Sequence, residues 1–183
     1  MIILGFLSYY DGYLKIPNKE LMREFEKALQ DESFGYVSEI IKNSRNMLKA
    51  TVSQDTEGVA QILHDIHNSE IPILQYNDEN SLSCVITLAY LSARDTYRVE
   101  REEKTGKGFA DFTFHPRRKV DTPFILELKK DETVDIAIKQ MKEKEYFQKF
   151  MKEHKNVLLV AICYDSKMKD HSCKIESVYF SEG

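Results

Sequence analysis

Two short runs contain the clearest structural pattern in the sequence: FADFTFH at residues 109–115 and FILELK at residues 124–129. Side chains alternate between the two faces of a strand. In the first run Asp111 is therefore predicted to lie on the face opposite Phe112 and Phe114, and in the second Glu127 and Lys129 lie opposite the leucines. If the intervening turn is symmetric about Lys119, Asp111 lies directly across from Glu127 in an antiparallel pair.

This predicted pairing brings two carboxylates together on one sheet face. Opposed carboxylates repel each other unless a cation or a shared proton joins them. Lys129 would supply one positive charge, and a divalent cation would supply the rest. Carboxylate oxygens are hard ligands that suit Mg²⁺ or Mn²⁺. Lys129 could hold an attacking water or offset charge on a phosphoryl group, so the two strands predict a site for metal-dependent phosphoryl chemistry.

Outward from these strands, the hydrophobic pattern predicts an α/β protein with a mixed sheet flanked by helices. The predicted elements are a helix at 79–93, strands at 97–102, 109–115 and 124–129, a long helix at 134–152, and strands at 157–164 and 175–180. Before them, a hairpin around Asp11-Gly12 and helices near 36–51 and 57–67 are predicted. The expected division is an N-terminal hairpin and helical segment at 1–75 and a second domain at 76–183.

Composition excludes several classes of protein. A formal net charge of −4 over 183 residues argues against a strongly basic nucleic-acid coat protein and against an acidic disordered tail. The longest apolar runs are too short to cross a bilayer, so no membrane partner is expected. The three cysteines, an odd number without a CxxC pair, predict reduced thiols in a cytoplasmic protein. Composition gives no indication of oligomeric state.

The motifs resemble the PD-(D/E)xK phosphodiesterase superfamily, in particular the nuclease-like domain at the C-terminus of bacterial AAA-type ATPase-like proteins. The matching residues within about 76–165 are, in chain order, Glu79, Glu102, Gly106, Gly108, Asp111, Glu127, Lys129, Ala137, Gln140 and Tyr146. The resemblance implies a restriction-endonuclease-like αβββαβ core that hydrolyses nucleic acid, DNA rather than RNA, with Mg²⁺ or Mn²⁺. It also implies an ATPase module as a partner in longer relatives.

The same resemblance implies a role for each matching residue. Asp111 and Glu127 would be metal ligands together with the main-chain carbonyl of Leu128, and Lys129 would be the catalytic lysine. Glu79 would be an auxiliary metal ligand from the first helix, and Gln140 would orient a ligand or the substrate. Two positions depart from the family pattern: Ala110 stands where the superfamily has its naming proline, and Phe109 stands where this family usually has arginine.

Two alternatives remain open at the level of sequence. Arg117, Arg118 and Lys119 could contact a phosphate backbone, or they could be a solubilising loop between the strands. An isolated Asp and Glu-x-Lys pattern also arises freely on solvent-facing strands. The protein is therefore expected to be a nuclease or, alternatively, a catalytically inactive nuclease-fold module that binds nucleic acid or a partner protein.

Overall fold

The computed structural model of the chain describes residues 8–10, 13–15, 19, 23, 35–70 and 79–180. The chain divides into two compact units, Met1–Ile41 and Lys42–Gly183. The first unit contains an antiparallel hairpin of β1 (Ser8–Tyr10) and β2 (Tyr13–Lys15). The turn predicted at Asp11-Gly12 lies outside the described residues.

The second unit contains a five-stranded sheet in the order β3-β4-β5-β6-β7. Its strands are β3 (Tyr97–Thr105), β4 (Gly108–Pro116), β5 (Phe124–Lys130), β6 (Asn156–Asp165) and β7 (Asp170–Tyr179). The helices are α1 (Gly35–Val52), which begins in the first unit, α2 (Thr56–Glu70), α3 (Glu79–Ala89) and α4 (Val134–Glu143), with short 3₁₀ helices at Leu91–Asp95 and Tyr146–Phe150.

The sheet is mixed, as the sequence predicts. Strands β3, β4 and β5 form an antiparallel meander, β5 and β6 are parallel, and β7 returns antiparallel to β6. Parallel neighbours need a crossover connection, and α4 with the 3₁₀ helix after it provides one. The predicted α/β architecture, with an αβββαβ order running from α3 to β6, is confirmed.

Alternation along β5 builds two apolar clusters, one on each face of the sheet. Phe124, Leu126 and Leu128 pack in the cluster that includes residues of α1, α2 and α3. Ile125 packs in the other cluster, with residues of α4 and the 3₁₀ helix that follows it. The face that carries Ile125 also carries Glu127 two residues later. Helices cover both faces, so both sets of β5 side chains are buried.

Residues of α1 and α2 contribute to the first of these clusters. Met47, Val59 and Leu63 are fully buried there beside residues of the sheet. The predicted N-terminal segment ends at residue 75, whereas the second compact unit begins at Lys42. These helical residues therefore belong to the core of the second unit, and the division at residue 75 stays a prediction about domain organisation.

The pairing of β4 with β5 follows the predicted register up to Phe112 and is interrupted at Asp111. The paired residues are Phe112 with Leu126, Thr113 with Ile125, and Phe114 with Phe124, a symmetric arrangement about Lys119. Ala110 packs in the cluster with Ile125, although Phe112, two residues along, packs in the opposite cluster. The regular alternation therefore breaks at Asp111, where β4 stops pairing with β5.

The helix predicted at 134–152 is shorter, because the turn between β3 and β4 packs against its end. Helix α4 ends at Glu143, and Glu145 has a left-handed backbone with a φ of 53°. The Lys107 N–H donates to the Lys144 carbonyl oxygen at 2.8 Å. A continuous helix would need that carbonyl for its own i to i+4 bond. The chain instead turns and continues as a 3₁₀ helix.

Gly106 is expected to be essential to this contact. Its φ is +51°, and a Cβ there would lie 2.3 Å from the Lys144 carbonyl oxygen and 2.4 Å from the Glu145 carbonyl oxygen. Gly106→Ala is therefore expected to lower the free energy of unfolding by about 2 kcal/mol or more, as chemical denaturation would measure. Gly35→Ala is the matched control, because Gly35 has a φ of +29° with nothing within 4 Å of a Cβ. Equal losses in both variants would contradict the steric argument.

Candidate active site

Asp111 lies where the β4–β5 ladder ends, and its side chain takes over the contact between the two strands. Its Oδ2 atom accepts a hydrogen bond from the Leu128 main-chain N–H at 2.7 Å. This bond satisfies a backbone donor of β5 beyond the last β4–β5 pair, Phe112 with Leu126. The half-buried Asp111 carboxylate is thereby held against the strand that carries Glu127 and Lys129.

Glu127 is a buried carboxylate with one satisfied oxygen and one unsatisfied oxygen. Only 3% of the residue is exposed. Its Oε1 accepts hydrogen bonds from the Lys129 ammonium at 3.1 Å and from the Gln140 side-chain amide. Its Oε2 is buried with no hydrogen-bond partner among the described residues. A buried polar atom without a partner is costly, so a ligand for Oε2 is expected.

Burial and the neighbouring charges disfavour ionisation of Glu127. Burial of the Glu127 carboxyl, together with the nearby charge of Asp111, raises its pKa to about 7, against the opposing attraction of Lys129 and Lys144. For Lys129, burial lowers the pKa, but the charges of Glu127 and Asp111 outweigh burial and raise the pKa above its ordinary value. Lys129 is therefore a stable cation, and further positive charge would favour ionisation of both neighbouring carboxylates at neutral pH.

Gln140 and Tyr146 hold the Glu127 carboxylate from the α4 side. The Gln140 amide that donates to Glu127 also lies 3.4 Å from the Tyr146 hydroxyl. That hydroxyl donates to the Phe109 carbonyl oxygen at 2.7 Å, and the Tyr146 ring is fully buried. The chain of contacts runs from β4 through the 3₁₀ helix and α4 to β5. It fixes the orientation of the Glu127 carboxylate.

The residues present fit a hard divalent cation. Asp111 and Glu127 offer carboxylate oxygens, and the unpartnered, buried Oε2 of Glu127 is the atom that most needs a positive partner. The two carboxylates influence each other, since the charge of Asp111 raises the pKa of Glu127. A cation between them would remove both the repulsion and the unsatisfied oxygen.

The family model described as the PD-(D/E)XK nuclease superfamily matches residues 77–172. The chain belongs to this superfamily. The match spans more than half of the 183 residues and includes β3 to β6 together with α3 and α4. No curated protein matches the sequence. The restriction-endonuclease-like fold expected from the resemblance is thus confirmed by the family match and by the mixed sheet.

Within this superfamily fold, four of the predicted site residues come together: Asp111, Glu127, Lys129 and Gln140. The Leu128 main chain also lies at the site, through its N–H bond to Asp111. Glu79 is the first residue of α3, but its side chain lies outside the described residues. Its role as an auxiliary ligand, like the ligand role of the Leu128 carbonyl, stays a prediction.

The loop with Arg117, Arg118 and Lys119 lies at the other end of the β4–β5 hairpin. Arg117 lies six residue steps along an extended chain from Asp111, about 20 Å at roughly 3.3 Å per residue. The Arg118 guanidinium donates to both carboxylate oxygens of Asp121, at 2.8 and 2.9 Å. Arg117 lines a cleft of about 570 Å³ with Lys149 and His154 among its other lining residues. The structure does not bring these cations to the acidic site, and their contact with phosphate stays a prediction.

A second group of acidic and histidine side chains lies further along β3 and β4. Glu100, Glu103 and His115 have ligand atoms within 4.8 Å of one another, and among the described residues this group could hold a metal ion. His115 Nε2 lies 2.8 Å from Glu103 Oε2, and Lys149 pairs with the other oxygen of Glu103. PD-(D/E)XK nucleases use divalent metals, so a metal on this chain has two candidate positions.

This second group could not be predicted from the regular alternation of side chains along a strand. Glu100 and Glu103 are three residues apart and would face opposite sides of a regular strand. Glu102 has a φ of 49°, which breaks the regular alternation within β3, and Glu103 lies against His115. The positive φ of residue 102 could not be predicted, because glycine is the residue that adopts a positive φ freely and this position holds glutamate.

The described helices include none that is long and apolar enough to cross a membrane.

Proposed function

We propose that the protein is a divalent-metal-dependent phosphodiesterase that hydrolyses nucleic acid, with DNA preferred over RNA. One observation supports this function above the others: a buried Glu127 carboxylate with an unpartnered oxygen, adjacent to Asp111 and to the protonated Lys129. Metal ligands beside a fixed cation suit metal-dependent phosphodiester hydrolysis. Membership of the PD-(D/E)XK superfamily supports the same reaction class.

Asp111 and Glu127 would hold Mg²⁺ or Mn²⁺, with the Leu128 carbonyl and Glu79 as further ligands. The bound cation would act as a Lewis acid on the phosphoryl group and would make an attacking water easier to deprotonate. Its other expected benefit is to satisfy the Glu127 Oε2 atom, which has no hydrogen-bond partner among the described residues.

Lys129 and Gln140 have different tasks in this proposal. The Lys129 ammonium carries a fixed positive charge next to the carboxylates, where it can position the attacking water and stabilise negative charge on the phosphoryl oxygens. Gln140 is a positioning residue, because its amide donates to Glu127 Oε1 and orients that carboxylate. The ATPase module expected as a partner of longer relatives remains a proposal from the resemblance alone.

Metal binding and cleavage by an Asp111 variant provide the direct test. Wild-type protein is expected to bind Mg²⁺ or Mn²⁺ in calorimetric titration and to cut DNA oligonucleotides faster than RNA of the same sequence. Asp111→Asn keeps an oxygen that can accept from the Leu128 N–H but removes the charge. We expect this variant to melt at or above the wild-type temperature in EDTA, because it removes a charge that disfavours the ionised Glu127, and to lose cleavage by about a thousandfold or more.

Two results would contradict the proposed function. One is a wild-type protein that binds neither metal and cuts neither nucleic acid. The other is retention of oligonucleotide binding without metal-dependent cleavage, which would favour the inactive binding module. Glu103→Gln serves as the matched control, because it removes a carboxylate from the second candidate metal group and leaves Asp111 and Glu127 intact. Loss of cleavage in that variant alone would indicate that the catalytic metal binds to Glu100, Glu103 and His115.

A further inference from the structure

The backbone of Lys144 is fixed against the turn between β3 and β4. The Lys107 main-chain N–H donates to the Lys144 carbonyl oxygen at 2.8 Å, and the Lys107 side chain pairs separately with the Glu145 carboxylate at 2.8 Å. The absence of a side chain at Gly106 permits this approach. The residue that follows α4 is therefore held in one position relative to β4.

The side chain of Lys144 extends over Gly108, towards the candidate active site. A Cβ on Gly108 would lie 2.8 Å from Lys144 Cδ and 3.0 Å from a ring carbon of Tyr146. Tyr146 contacts Gln140, which in turn contacts Glu127. The positive charge of Lys144 also acts on the Glu127 carboxyl, where it lowers the pKa. The aliphatic part of the Lys144 side chain therefore lies over Gly108, which provides the space for it, and its charge lies near the acidic centre formed by Asp111 and Glu127.

Lys144 is exposed and makes no ion pair with a described carboxylate, unlike other lysines near it. Lys107 pairs with Glu145, Lys139 with Glu143, and Lys142 with Glu176. These lysines are compensated within the fold. Among the described residues of α4 and its flanking turn, Lys144 is thus a cation directed to the acidic centre without a structural partner of its own.

We propose that the Lys144 ammonium binds a non-bridging oxygen of nucleic-acid phosphate at or next to the scissile bond. This proposal rests on the proposed function and adds a substrate-binding residue to it. A phosphate oxygen is the partner that the reaction brings to this place, and a flexible ammonium suits a point contact with it. The proposal also explains the two glycines of the turn. Gly106 allows the main chain to approach the Lys144 backbone, and Gly108 leaves room for the Lys144 side chain.

The test compares Lys144→Gln with Lys144→Arg, which keeps the charge, and with Lys107→Gln, which keeps the main-chain bond to Lys144 and removes a compensated charge from the same turn. Binding of a fluorescein-labelled DNA oligonucleotide would be measured by anisotropy at several salt concentrations, in the Asp111→Asn background that prevents turnover. KM and kcat would be measured with Asp111 intact. Melting temperatures would show that each variant folds, as expected for an exposed side chain.

Lys144→Gln is expected to weaken binding about tenfold and to raise KM by a similar factor. It should also reduce the slope of log K against log salt by about 0.7 to 0.9, the value of one phosphate contact. Lys144→Arg should restore both, and Lys107→Gln should change neither. Unchanged binding and slope in Lys144→Gln, or equal effects in Lys107→Gln, would overturn the proposal while cleavage by the wild-type protein would still support the nuclease function. Absence of both binding and cleavage in the wild-type protein would instead contradict the proposed function itself.

Discussion

Lys129→Met is expected to lower kcat for DNA cleavage by about a hundredfold to a thousandfold while Mg²⁺ binding persists. The reason is that Lys129 is a cation next to the candidate metal ligands without being one of them. Its ammonium lies 3.1 Å from Glu127 Oε1, and the charges of Glu127 and Asp111 keep it protonated. Removing one preorganised donor that faces developing negative charge typically costs a factor of this size.

Separate assays of metal binding and cleavage distinguish this role from a structural one. Calorimetry would measure Mg²⁺ affinity, and single-turnover cleavage of a DNA oligonucleotide would measure the chemical step. Lys130→Gln is the matched control, because Lys130 is the next residue of β5 and points to the other face of the strand. A Lys129→Met protein that cuts within tenfold of the wild-type rate would contradict the assignment. So would an equal loss in Lys130→Gln.

The part of the site that sequence could predict lies on β5 and on the paired part of β4. Alternating apolar and polar residues place Glu127 on the same face as Ile125, and both strands are bounded by turns and prolines. The symmetric pairing about Lys119 follows from those limits. Such patterns are local, and the two-residue period of a strand carries them directly from sequence to structure.

The features of the fold and site that the sequence could not predict depend on contacts between distant segments of the chain. The end of α4 at Glu143 is set by the β3–β4 turn, which binds the Lys144 carbonyl. The break of alternation at Asp111 arises because β4 leaves β5 there and the Asp111 side chain replaces a main-chain partner. Positive φ angles at Glu102 and Glu145 occur in residues that seldom adopt them. Tertiary packing overrides local preference at these positions; Asp111 is itself a proposed metal ligand, and Glu102 adjoins Glu103 of the second candidate group.

Glu127→Gln is expected to make the metal-free protein more stable at pH 8, although it removes a proposed metal ligand. The pKa of Glu127 is about 7 in the folded protein, against an ordinary value of 4.5. Because the folded state binds this proton more tightly, stability falls as the pH rises from about 4.5 to about 7 and is constant above that. At about 1.4 kcal/mol per pKa unit, the ionised carboxylate costs the fold roughly 3 kcal/mol at pH 8.

Glutamine has the shape of glutamate and can accept from Lys129 and Gln140, but it carries no charge to bury. Chemical denaturation in EDTA should therefore give equal stabilities for wild type and Glu127→Gln near pH 4.5 and a more stable variant at pH 8. Glu176→Gln is a control of opposite sign, since hydrogen bonds from Lys142 lower the pKa of Glu176 and its ionised form helps the fold. A Glu127→Gln protein less stable than wild type at pH 8 would contradict the argument.

Adding Mg²⁺ should reverse the order of the two proteins at pH 8. The wild-type protein gains stability because the cation binds the folded state through the ionised Glu127 and Asp111 carboxylates. Glu127→Gln lacks one of these charges and should gain little. The instability of the buried, unpartnered carboxylate in the metal-free protein thus becomes part of the driving force for metal binding. Stabilisation of both proteins by the same amount would place the cation elsewhere, with Glu100, Glu103 and His115 as the next candidates.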